Sequence, residues 1–98
     1  MSRNKTKRKA SPSTPNFNFD PTEMVDSIMW FLKEDKGLKV DSVEELEKAR
    51  EWVSTTDPDN LMLGEPTGDP FDIFIGSLRR SLLLEGIDIR LNRMKAAA

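Results

Sequence analysis

The chain has 98 residues, with 15 bases against 17 acids, five glycines, no histidine and no cysteine. That length allows one small domain, and a chain of this size buries only about 60–65 % of its unfolded surface. The missing cysteines exclude a disulfide framework and a thiolate metal site, and the missing histidines remove the commonest general base, metal ligand and neutral-pH switch.

In chain order the first segment is a basic arm. Residues 1–14 carry Arg3, Lys5, Lys7, Arg8 and Lys9 and no acid, for a net +5. Apart from Met1 they hold no large apolar side chain, so residues 1–15 are expected to be disordered. Such an arm suits nucleic-acid phosphates or an acidic protein surface; as a tail it would serve only solubility. Residues 15–72 carry fifteen acids and five bases, a net −10, and residues 73–98 carry five bases and two acids, a net +3. The basic start has no apolar run behind it and no stretch reaches the ~18 apolar residues of a membrane span, so an intracellular protein is expected, cytoplasmic or, in a eukaryote, nuclear.

The spacing then predicts a helix over 21–36. Asp20 suits its N-cap, Pro21 its first position, and Gly37 its stop. Met24, Val25, Ile28, Phe31 and Leu32 share a broad face, Trp30 falls off it, and Phe17 and Phe19 could staple onto the start. Leu38 and Val40 alternate about Lys39, as Ile87 and Ile89 do about Asp88, and these segments are candidates for a minimal two-stranded element. Ser42 and Glu45 form a capping box before a second helix over 43–54, whose stripe is Val43, Leu46, Ala49 and Val53. Glu44–Lys48 and Glu47–Arg50 are spaced to pair along it. Residues 55–68 read as a long loop in which "LML" anchors to the core.

Asp69-Pro70 opens a third helix over 70–85, with Gly86 as its stop. Its face of Phe71, Phe74, Ile75, Leu78 and Leu82 reads as an ordinary core stripe. That leaves Ile73, Arg80 and Leu84 on the far side as surplus. They are either the second wall of a central helix, a partner surface, or a membrane-surface contact. Residues 90–98 read as a basic, fraying end, with helix as an open alternative. The expected architecture is mainly α: a small three-helix domain over 16–95 behind the disordered basic arm of 1–15.

No catalytic pattern survives inspection, so no enzyme is expected. "GEPTGDP" lacks the Lys-Ser/Thr of a phosphate loop. The loop starting at Asp57 opens like an EF-hand, but Gly64 and Gly68 fall where that motif needs other residues. No cofactor or metal is predicted. The leading expectation is a small protein-interaction module, an adaptor or regulatory subunit docking on a larger assembly, with Trp30, Ile73, Arg80 and Leu84 as candidate contacts and the basic tail reaching nucleic acid or an acidic surface. The alternative is a nucleic-acid-binding protein using Arg3, Lys5, Lys7, Arg8, Lys9, Arg90 and Arg93. A third reading makes the acidic middle a nucleic-acid mimic.

Overall fold

The computed structural model describes residues 20–97. The expected disordered arm and the staple of Phe17 and Phe19 lie outside these residues. The domain is mainly α and has three helices, α1 (Pro21–Trp30), α2 (Val43–Thr55) and α3 (Pro70–Ala97). A π turn, Phe31–Asp35, extends α1, and a 3-10 turn, Pro58–Leu61, breaks the loop between α2 and α3. Among the described residues no strand forms, and no helix is long and apolar enough to cross a membrane. The two-stranded element is therefore absent there: Leu38–Val40 has no regular secondary structure, and Ile87–Ile89 is helical.

Local chemistry explains where the helices begin. Asp20 accepts the Thr22 N–H at 2.9 Å, and Pro21 follows it at a position that needs no donor. At α2, Ser42 Oγ accepts the Glu45 N–H at 3.1 Å while Glu45 Oε1 reaches back to the Asp41 N–H at 3.0 Å. At α3, Asp69 Oδ1 accepts the Phe71 N–H at 2.8 Å. The helical run from α1 closes at Gly37, which takes a left-handed φ of 70°. The Leu38 N–H bonds the Leu32 carbonyl at 2.9 Å, a Schellman-type closure one residue wider than usual because the π turn precedes it.

The core lies where the three helices meet the 3-10 turn. Val25, Leu32, Leu46, Val53, Leu61 and Ile87 are its fully buried side chains. Burying a side chain of this kind stabilises by about 1.5–3 kcal/mol, and Ile28, Met29, Phe31, Leu83 and Leu91 add to these six with almost complete burial. Leu61 is the part of "LML" that anchors; Met62 is half-buried and Leu63 is exposed.

Two expectations for the third helix are corrected. Gly86 is not its stop, since α3 runs for 28 residues to Ala97, about 42 Å at 1.5 Å per residue. Carrying a glycine inside a helix costs about 1 kcal/mol. Continuation buries Ile87 and Leu91, one and two turns beyond Leu83, and outweighs that cost. The second correction concerns the face. The side turned to the core carries Gly76, Leu83, Gly86, Ile87 and Leu91. Four of the five residues read as a core stripe point outward: Phe71 is 64 % exposed, Phe74 60 %, Leu78 59 % and Leu82 43 %, while Ile75 is half-buried at the edge. The glycines decide this. A Cβ on Gly86 would stand 2.3 Å from Ile28 Cδ1, and one on Gly76 would stand 1.9 Å from the Pro58 carbonyl oxygen. Only a side without Cβ atoms lets α1 and the 3-10 turn come so close to α3.

Ion pairs also tie the helices together. Arg50 holds Asp88 through two hydrogen bonds, at 2.8 and 3.3 Å. Lys95 lies 3.5 Å from Glu47, and Arg90 lies 3.6 Å from Asp26. The expected Glu44–Lys48 pair stands at 4.0 Å. The expected Glu47–Arg50 pair is replaced, because both partners turn to α3, whose extra three turns supply Asp88 and Lys95. The three pairs that reach α3 are part-exposed and screened by solvent, so they orient it more than they stabilise it.

Candidate protein-docking face

The outward stripe of α3 begins at its first turn. Phe71, Phe74, Leu78 and Leu82 recur at spacings of three and four, so they stack along one side of the helix. Glu85, three residues after Leu82, closes the stripe with an exposed charge. Beside Leu82 the surface dips into an apolar groove of about 310 Å³ between α1, Leu63 and α3. Met24, Trp30 and Leu63 form its outer wall and Ile28, Phe31 and Leu83 its floor. Trp30 is 57 % exposed and Leu63 62 %. Trp30 was singled out by sequence because it falls off the buried face of its helix, and that is where it stands.

Leu63 is held at the groove by a clamp on its neighbour. The Asp35 carboxylate accepts the Gly64 N–H at 3.1 and 3.3 Å, and Lys36 Nζ donates to the Gly64 carbonyl at 2.7 Å. Lys36 Nζ also lies 3.2 Å from Asp35. The Gly64 N–H, helped by Lys36, holds the Asp35 carboxyl below its ordinary value near 3.8. A depressed carboxyl stabilises the fold above the unfolded-state value, and the contribution is lost as pH falls through the folded one. Asp35→Asn is therefore expected to be less stable than wild type at pH 7. The gap should close as the medium is acidified below about pH 4. Urea unfolding across that range checks this, and a gap that stays constant into strong acid would refute it.

Arg79 and Arg80 do not sit on the outward stripe. Arg79 turns to one flank, where its Nε donates to the Leu61 carbonyl at 2.5 Å and its guanidinium lies 4.8 Å from the Phe31 ring centroid. Burial draws its pKa down, and nearby Asp35 opposes that. Arg80 turns to the other flank. Its Nε donates to the Val53 carbonyl at 3.0 Å and its Nη2 to the Thr56 carbonyl, both at the C-terminal end of α2. A cation there satisfies orphan carbonyls and meets the negative end of the helix.

The sequence-predicted contacts thus separate. Ile73, Arg80 and Leu84 do share one side of α3, but it is the flank turned toward α2. Arg80 is spent on the chain's own carbonyls, Leu84 packs against the core, and Ile73 is 41 % exposed. Of the four, Trp30 alone borders the groove. Arg90 is paired with Asp26, while Arg93 is exposed; Arg3, Lys5, Lys7, Arg8 and Lys9 lie outside the described residues. Sequence reasoning missed Phe71, Phe74, Leu78 and Leu82 as surface residues. The sequence carried a partial signal: Leu83, Ile87 and Leu91 repeat every four residues straight through Gly86, marking a second stripe on the same helix. Among the described residues no three carboxylates converge as a metal site would need. Comparison of the chain with known protein families, curated proteins and solved structures finds no match.

Proposed function

We propose that this protein is a small non-catalytic interaction module, an adaptor or regulatory subunit that docks on a larger protein through the Phe71–Leu82 face of α3 and the groove beside Trp30. The observation that carries this reading is the outward stripe itself. Four large apolar side chains in one row, continuous with an apolar groove, form a patch that single-chain soluble proteins rarely leave bare. Trp30 at the rim adds an anchor of the type that dominates binding energy. The nucleic-acid alternative draws less support from the described residues, where Arg90 is paired with Asp26 and, of its candidates, Arg93 is left exposed.

Two measurements test the proposal. Phe74→Ser with Leu78→Ser is expected to change unfolding free energy by no more than about 0.5 kcal/mol per site, as surface positions do. Core positions would lose several times that much. A photo-crosslinking residue at position 78 is then expected to trap a discrete protein adduct in the native cell, with none at position 51 on the exposed side of α2. Equal adducts at both positions, or none at 78, would remove the reading.

A further inference from the structure

The docking reading leaves open what kind of partner the face accepts, and this inference rests on that reading. We infer that the occupant is a basic amphipathic helix of at least three turns on a partner protein. Shape and charge each narrow the choice.

The stripe from Phe71 to Leu82 runs straight for eleven residues, about 16.5 Å along the helix. A row of this length matches three turns of an incoming helix, whose anchors at i, i+4, i+7 and i+11 would lie along it.

Charge selects the partner's sign. Glu85 closes the C-terminal end of the stripe, and Asp69 stands at its N-terminal end. Glu23, exposed, lies one turn before Ser27 on the groove wall. The nearest bases are engaged within the domain: Arg79 on the Leu61 carbonyl, Lys36 on Gly64 and Asp35. Among the described residues the row carries an acid at each end, and the exposed base Lys33 lies beyond Trp30 on the far side of the groove wall, so the row itself complements lysines and arginines flanking an apolar stripe. A second copy fits poorly. Antiparallel pairing of two stripes brings Glu85 toward Asp69, and parallel pairing sets Glu85 against Glu85, so like charges meet either way. The chain's own N-terminal segment has the right sign in residues 1–14, but apart from Met1 its large apolar anchors are only Phe17 and Phe19, two residues apart rather than at helical spacing, which makes it a weak competitor rather than the occupant.

The test uses the full chain and two labelled synthetic peptides of about 18 residues, five helical turns. Both carry leucines at i, i+4, i+7 and i+11, one with lysines and one with glutamates at the flanks. Fluorescence anisotropy is expected to show the lysine peptide binding at least about tenfold tighter in low salt, with the advantage shrinking in high salt. Glu23→Gln with Glu85→Gln should reduce that advantage without weakening the glutamate peptide. Equal affinities, preference for the glutamate peptide, or no binding of either overturns the basic-helix inference. So does self-association in sedimentation that Phe74→Ser with Leu78→Ser abolishes, since it makes a second copy the occupant. If the lysine peptide binds that serine variant as tightly as wild type, the docking face itself is misplaced and the proposed function falls with it.

Discussion

Gly76→Ala is expected to destabilise the domain by about 1–3 kcal/mol, the range for forced overpacking. Helix propensity predicts the opposite sign, because alanine inside a helix is worth about 1 kcal/mol more than glycine. The tertiary contact decides. The new methyl would stand 1.9 Å from the Pro58 carbonyl oxygen and 2.5 Å from its carbon, atoms of backbone rather than of a side chain that can swing away. Either the 3-10 turn or α3 must move, and Leu61, fully buried on that turn, moves with it. For a domain of this size each kcal/mol lowers Tm by about 4–8 °C, so calorimetry reads the effect easily. A rise in Tm would mean that α3 and the turn are not in contact. Gly86→Ala should cost less, since the atom it meets is the flexible end of Ile28.

Arg80→Ala is expected to have a larger effect, a loss of about 2–4 kcal/mol. Two charge-assisted hydrogen bonds disappear, and hydrogen bonds to charged groups are worth about 1.5–3 kcal/mol each. The Val53 and Thr56 carbonyls at the end of α2 lose their donor beside a part-buried interface. Arg80→Lys should recover only part of the loss, because an ammonium cannot reach both carbonyls with the fixed fork of a guanidinium. Arg93→Ala, at an exposed position on the same helix, serves as the control and should stay within about 0.5 kcal/mol of wild type. Equal effects from Arg80→Ala and Arg93→Ala would show that the Arg80 hydrogen bonds contribute nothing.

Both substitutions lie on α3, the element whose role was least legible beforehand. Its start was plain, since the Asp69 cap and Pro70 act through neighbouring backbone. Its end was not, because a glycine ends a helix only when nothing beyond it gains by continuing. Here Ile87 and Leu91 gain a core, and Asp88 and Lys95 gain partners on α2. The candidate site suffered most from this. With two apolar stripes on one helix, periodicity cannot say which is inner. The stripe with larger side chains was read as core, although the side that packs closely is the one with the two glycines.

Alone, the amino-acid order determined what acts over a few residues: the caps at Asp20, Ser42 and Asp69, the left-handed closure at Gly37, the three helices, the single stripes of α1 and α2, and the displacement of Trp30 from its own stripe. Each follows from backbone hydrogen bonding or from the helical period. The tertiary structure alone decided how far α3 runs, which of its faces is buried, where Arg79 and Arg80 are spent, and that Phe71, Phe74, Leu78 and Leu82 stand outside. Those depend on what comes within a few ångströms of Gly76 and Gly86, namely Pro58 and Ile28, residues eighteen and fifty-eight positions away in the chain.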